Sequence, residues 1–315
     1  MLRMSVTYVG SGPYCYANSL AMILGGEAPP PAVIEVLTGS PYGMQLIGGR
    51  LPLFDPFGWD PEIGLDAAIG LLGWECERAD GGTAEEALDR LRRACQDGPV
   101  LVGPLELGLL TYQPGSGQAV GADHYVVVLE AGDDTVLVHD PQGHPYATLP
   151  AGDFAQAWRG ELIPYLRRPF RMRHRFTRSA RVSQEEALRR SLPAGVAWLA
   201  GRADVEVPPG TLGQAEAAER TAALVEEGLD PDVRALWQAF AVRVGARRLN
   251  DLAACLSSLG LDAGASVAAE QARVVGGLQG PLVSGDDPAL AAGLRRLAPT
   301  YERLRDVLAS RVGTS

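Results

Sequence analysis

The chain has 315 residues, 46% hydrophobic and 21% charged, with a formal net charge of −10. Such a composition excludes a disordered, collagenous or coiled-coil chain, and the length suggests about two domains. All 28 basic residues are arginine, which excludes a Walker-type phosphate lysine, a Schiff-base lysine and a Ser–Lys dyad. The net acidity argues against nucleic acid and anionic membranes as partners. No run of about 18 apolar residues and no short apolar leader is found, so neither a membrane span nor a signal peptide is expected. The four cysteines, Cys15, Cys76, Cys95 and Cys255, lack C-x-x-C spacing. No zinc site, disulfide framework or cofactor is expected, and the reading is a reduced, cytoplasmic protein.

In chain order, Tyr14 to Leu24 reads as a helix stopped by Gly25-Gly26, and Pro29-Pro30-Pro31 opens a short helix to about Leu37. Residues 38–62 are rich in Gly, Pro and aromatics and form a long loop, a kind of segment that is often functional. Ile63 to Leu72 is helical. Thr83-Ala-Glu-Glu86 is a capping box that opens a helix to about Cys95. Pro99–Gly103, Tyr125–Glu130 and Thr135–Val138 read as strands. Phe170 to Phe176 alternates, with Phe170, Met172, His174 and Phe176 on one face and Arg171, Arg173 and Arg175 on the other. Beyond about residue 180 the pattern is helical near 183–200, 214–227, 231–245, 247–259, 262–278 and 288–312. The expectation is an α+β domain over 1–180 followed by an all-α helical bundle domain over 181–315.

Cys15 follows Gly-Ser-Gly-Pro and opens an apolar helix. The free N–H groups and the dipole of a helix N-terminus favour a thiolate and can serve an oxyanion. The other three cysteines lack this setting and read as buried hydrophobes. A nucleophilic thiol needs a base, and the base an orienting group. His124 begins one apolar run, and the next ends at His139-Asp140-Pro141, with Gly132-Asp133-Asp134 as the hairpin signal between them. If those three residues form the loop, Ala131 opposes Thr135 and His124 faces Gln142. Asp140 is then the diagonal neighbour of His124 at about 7–8 Å, within reach of an Asp–His hydrogen bond. His139 points to the opposite strand face, His144 falls in a loop, and His174 shares an apolar face, so these three read as structural.

The order of a Cys on the first helix, a His at a strand start and an Asp at the end of the next strand resembles that of papain-like cysteine enzymes. Within that superfamily the chain resembles the butirosin biosynthesis protein H family. The resemblance rests on Cys15 with Asn18-Ser19-Leu20, Tyr42-Gly43-Met44, Gly98-Pro-Val-Leu-Val102 with Leu107, Tyr112-Gln-Pro114, Asp123-His-Tyr-Val-Val127, His139-Asp-Pro141 and a helical C-terminal region. It implies a papain-like catalytic domain and an acyltransferase of natural-product biosynthesis. An acyl group would pass from an acyl carrier protein's pantetheine thioester to Cys15 and then to a small-molecule amine. His124 would be base and Asp140 orienter. A hydrolase on the same site, or a catalytically silent binding module, are the alternatives.

Papain-like peptidases place a Gln six residues before the Cys, where this chain has Val9, leaving the oxyanion to Ser11 or to backbone N–H groups. Tyr16 stands where transporter peptidase domains have Gly, which favours acyl transfer or thioester hydrolysis over peptide cleavage. Ser11 and Tyr14 flank the nucleophile as candidate substrate contacts. Eight arginines fall within 159–181 against one acid, Glu161. The Arg171/Arg173/Arg175 face could therefore dock an acidic carrier protein; the alternative is a solvated, charged edge strand.

Overall fold

The computed structural model describes residues 13–312. In chain order the elements are α1 (Cys15–Leu24), α2 (Pro31–Leu37), β1 (Gln45–Ile47), β2 (Leu51–Leu53), α3 (Pro61–Leu71), β3 (Trp74–Ala79), α4 (Ala84–Asp97), β4 (Val100–Glu106), β5 (Asp123–Ala131), β6 (Thr135–Asp140), β7 (His144–Pro150), α5 (Ala151–Arg159) and β8 (Met172–Arg178). There follow α6 (Gln184–Ala200), β9 (Leu212–Gly213), α7 (Gln214–Gly228), α8 (Pro231–Leu236), α9 (Val242–Ser258), α10 (Asp262–Gly277), α11 (Gln279–Ser284) and α12 (Asp287–Val312). The chain is α+β, with a sheet region and a helical C-terminal region.

Two compact units divide it. One holds the chain up to Pro31 together with Gly73–Arg181; the other holds Ala32–Leu72 and the chain from Val182 onward. The later boundary falls where the sequence changes character. A contiguous first domain over 1–180 is corrected, because segment 32–72 belongs to the helical unit. The physical reason is a buried ionic network in that unit. Glu35 on α2 is fully buried, and its Oε1 accepts from Arg248 Nε of α9 at 2.8 Å and from Ser40 Oγ at 2.8 Å. Arg248 Nη1 also donates to Phe54 O at 3.2 Å and to Asp55 Oδ2 at 3.3 Å, and Gln45 Nε2 donates to Asp55 Oδ1 at 2.6 Å. The stretch read as a long functional loop is thus the β1–β2 hairpin, with β9 on its other edge. Gly195 and Gly245 let α6 and α9 approach it: a Cβ there would meet the Tyr42 ring at 2.7 Å and the Phe54 ring at 2.6 Å. The expected break near residue 246 is absent, since α8 runs through a π-helical turn at Trp237–Ala241 into α9.

In the first unit six antiparallel strands lie in the order β3-β8-β4-β5-β6-β7. All seven residues of β4 are buried, as expected of a strand covered on both faces. One face carries Val100, Val102, Val126, Val128, Val136, Val138 and Met172 against Ala87, Leu91 and Ala94 of α4 and Phe154 and Trp158 of α5. Tyr125 projects to the other face, where its ring meets Tyr16 of α1 edge-on at 6.0 Å. The capping box of α4 is present in both halves, Glu86 N to Thr83 Oγ1 at 3.2 Å and Thr83 N to Glu86 Oε2 at 2.8 Å.

Candidate active site

The β5–β6 turn is one residue tighter than its sequence suggests. Ala131 pairs with Val136 rather than Thr135, and Gly132 N donates to Thr135 O at 2.8 Å. An irregularity between Val128 and Glu130 then restores the expected pairing, so that Val127 lies opposite His139. This compensation brings His124 and Asp140 to the same end and face of the sheet. Nε2 of His124 lies 2.8 Å from Oδ1 of Asp140, with both side chains shielded from water.

The other bonds to Asp140 fix how the proton is shared. Its Oδ1 accepts from Gln142 N at 2.7 Å, and its Oδ2 from Tyr112 Oη at 2.8 Å and Gln113 Nε2 at 2.6 Å. Every one of these groups can act as donor, so the carboxylate is acceptor-only and the Nε2 of His124 carries the hydrogen. The neutral ring then has its lone pair on Nδ1. That nitrogen is buried and has no hydrogen-bond partner of ordinary geometry among the described residues. Cys15 is the neighbouring thiol: each of the two groups shifts the titration of the other. Burial opposes charge at each position. Even so, Asp140 raises His124 to about 10, while His124, Gln142 and Tyr112 hold the Asp140 carboxyl below its ordinary value.

Cys15 is the first residue of α1, and no side chain caps that helix among the described residues. Tyr14 precedes it in the left-handed region at φ 79°, and Asn18 Nδ2 pins the turn by donating to Tyr14 O at 2.9 Å and Pro13 O at 3.2 Å. Ser19 Oγ donates to Tyr125 O at 3.2 Å, which ties α1 to the strand that begins beside His124. A thiol pKa lowered outright by the helix N-terminus is not what the structure has. Packing around the sulfur pushes it up, His124 pulls it down, and Asp123 pushes it up further. Burial also pushes Cys95 up to about 12 and Cys255 up to about 11, with no histidine opposing it. Cys15 differs from these two by the histidine beside it rather than by an acidic resting thiol; Cys15 and Cys95 share the same intermediate exposure.

Tyr14 is buried, so its side chain is not a substrate-facing surface; the left-handed turn that presents Cys15 folds it inward. Ser11 and Val9 lie outside the described residues. The basic face expected on β8 is also corrected. β8 is an interior strand, Arg173 is buried at 1% exposure, and Arg171 Nη2 donates to Asp80 Oδ2 at 2.9 Å. Arg175 breaks the alternation with φ 51° and pairs with Asp97 at 2.9 Å and Glu77 at 3.1 Å. Charge reversal at these positions would test folding rather than docking. His139 is structural as expected: buried, with Nδ1 accepting from Tyr146 N at 3.1 Å. His174 is largely covered, and burial lowers its pKa. His144 starts β7 instead of lying in a loop.

Tyr112 and Gln113 are site residues that pattern reading gave no role. They sit on an irregular stretch closed by Glu106, a buried carboxylate accepting from Val120 N and Gly121 N, each at 2.9 Å, and from Gly108 N at 3.3 Å. A second cluster flanks the site: Tyr165 Oη donates to Asp123 Oδ2 at 2.7 Å and lies 3.4 Å from Tyr125 Oη.

Residues 208–309 match the family model described as YobF C-terminal domain. That span covers β9 and most of the helices after it, in the unit that does not contain Cys15. The chain is also similar to "Uncharacterized protein YobF" of Bacillus subtilis (strain 168), at 34% identity over 163 residues. That alignment covers 51% of this chain and 52% of the relative, so the chain spans about half the length of the curated relative it matches.

The linkage between His124 and Asp140 gives a pH signature. His124 is raised above its ordinary 6.5, so its contribution to stability is full below 6.5 and is lost as pH rises through about 10. Asp140 is lowered below 3.8, so its contribution is present above 3.8 and is lost as pH falls. The pair therefore stabilises most between pH 3.8 and 6.5. The gap in Tm between the natural chain and Asp140→Asn should be widest there and should close toward pH 10. A gap that stays constant from pH 4 to 10 would contradict the pairing.

Proposed function

We propose that the chain is a cysteine-dependent acyltransferase on a papain-like catalytic unit, akin to the butirosin biosynthesis protein H family. The supporting observation is the hydrogen bond from His124 Nε2 to Asp140, which in the neutral ring leaves the lone pair on a buried Nδ1 beside the Cys15 thiol.

In its neutral form, the minority at pH 7 because Asp140 raises His124 to about 10, the ring takes the Cys15 proton on Nδ1 as the sulfur attacks the thioester carbonyl of an acyl carrier protein. Asp140 stabilises the imidazolium. The first-turn N–H groups of α1 are the proposed oxyanion donors, since these amides have no partner within the helix. Collapse of the tetrahedral adduct breaks the carbon–sulfur bond to the carrier thiolate, which takes the proton back from His124. An amine then attacks the Cys15 acyl-enzyme, His124 accepts the amine proton, and the Cys15 sulfur leaves. Thioester hydrolysis follows the same steps with water in place of the amine.

The experiment follows the fate of an acyl group supplied as an N-acetylcysteamine thioester or on a carrier protein, with and without a primary amine. Acyl transfer gives amide in proportion to amine. Free acid formed at a rate unaffected by amine would make the protein a hydrolase. Neither product, with no acyl-enzyme, would leave a binding module.

A further inference from the structure

A second concave site lies in the same unit, away from the Cys15 centre. It is a cleft of about 380 Å³ between α4 and the strands β3 and β8, lined by Ala79, Arg90, Arg93, Ala94, Gln96, Asp97, Met172, His174 and Arg175. Its size is that of a small-molecule site. Arg90, Arg93 and Asp97 recur at helical spacing along one flank of α4. The buried Ala87, Leu91 and Ala94 anchor the adjoining face of the helix to the sheet.

The charges in this cleft are unequally used. Arg175 is held by Asp97 and Glu77. Arg90 Nη2 donates to Gly81 O at 2.5 Å, yet its Nε is buried without a hydrogen-bond partner among the described residues. Arg93 forms no ion pair among the described residues, although Glu and Asp outnumber Arg in the chain by 38 to 28. His174 Nδ1 is buried and likewise unpartnered, while its Nε2 lies 3.9 Å from Glu77 Oε2. A guanidinium nitrogen of Arg90 and an imidazole nitrogen of His174 with unmet hydrogen-bonding capacity, together with the exposed guanidinium of Arg93, thus line one cleft. Met172, Ala79 and Ala94 give the wall an apolar part, beside Gln96 and the Asp97 carboxylate that Arg175 neutralises. Planar guanidinium donors fit the oxygens of phosphate, and the apolar wall fits an organic body beside it.

We infer that this cleft binds a small organic phosphate, its phosphate on Arg90 and Arg93 and its apolar part against Met172. The inference is independent of the chemistry proposed for Cys15.

The test is calorimetric titration of the full chain with phenyl phosphate at fixed ionic strength, alongside Arg93→Gln and Arg90→Gln. Arg93 is exposed and forms no ion pair among the described residues, so its variant folds; circular dichroism checks both. Saturable binding, weakened at least tenfold by Arg93→Gln and unchanged in Cys15→Ala, is the expected result. Phenyl phosphate should also shift the His174 ring signals in NMR. Binding unaffected by Arg93→Gln, or no heat and no His174 shift at millimolar phenyl phosphate, would overturn the inference. Equally tight binding of phenol would overturn it too, because the phosphate would then contribute nothing.

Discussion

His124→Ala should slow formation of the Cys15 acyl-enzyme about 10³-fold at pH 7, within the ~10²–10⁴ range that a positioned general base supplies. The magnitude follows from the environment of the thiol. Burial holds Cys15 above its ordinary 9.0 despite His124, so without the imidazole very little thiolate exists at neutral pH. Alkaline pH should partly restore the rate by ionising the sulfur directly, with the rescue centred above 9.0 rather than below it.

Asp140→Asn should cost less, about 10²-fold. It removes the charge that stabilises the imidazolium, and it also disturbs a closed set of donors. Both carboxylate oxygens accept bonds, Oδ1 from His124 and Gln142 and Oδ2 from Tyr112 and Gln113. A carboxamide must set its NH₂ against one of those donor pairs. Rates are read by intact-mass time courses with a thioester. Wild-type rates in Asp140→Asn would show that this carboxylate does not orient the base, and wild-type rates in His124→Ala would remove the catalytic role of the hairpin.

Arg248→Ala should destabilise the helical unit by about 3–5 kcal/mol, the usual cost of stripping one partner from a buried ionic cluster. Glu35 is fully buried, and the Arg248 side chain is only 8% exposed. Removing the guanidinium leaves Glu35 Oε1 with Ser40 alone among the bonds described above, and leaves Phe54 O without that donor. Urea unfolding measures the loss. A cost below about 1 kcal/mol would mean that the network does not hold segment 32–72 in its unit. Arg248→Met, which keeps the volume but still strands Glu35, should behave like the alanine variant.

Local signals foretold much of this structure. The α4 capping box and most of the helices after residue 183 follow directly from the sequence, apart from the break expected near 246 and the short α11. So does the pairing that joins His124 to Asp140, although by a different route: a tighter turn offset by an irregularity near Leu129 that no residue pattern announces. The short strands β1, β2 and β9 and the helix α11 were not foreseen, and three longer elements show why such signals fail. β3 is a sheet-edge strand of mixed charge, Trp74-Glu-Cys-Glu-Arg-Ala79, without a β-branched run. β7 carries Pro145 and Pro150, which read as turn residues but are tolerated on the opposite edge. α5 starts after Pro150 with no side-chain cap.

The larger misreadings came from charge and from distance along the chain. Arg171, Arg173 and Arg175 look like a solvated face, yet Arg173 is buried and Arg171 and Arg175 pair with acids on other elements. Glu35 and Arg248 are 213 residues apart, so nothing local marks segment 32–72 as part of the helical unit. Tyr112 and Gln113 reach Asp140 from an irregular stretch that Glu106 closes through backbone amides, which side-chain periodicity does not report.

The central claim is that Cys15, activated by His124, takes an acyl group from a thioester. The most direct measurement is peptide-mapped mass spectrometry of the protein quenched after brief exposure to an N-acetylcysteamine thioester at pH 7. One acyl group should appear on the peptide carrying Cys15. Cys76, Cys95 and Cys255 should stay unmodified, and Cys15→Ser should not accumulate a thioester-linked adduct. Acylation spread evenly over the four cysteines, or unchanged in His124→Ala, would contradict the account.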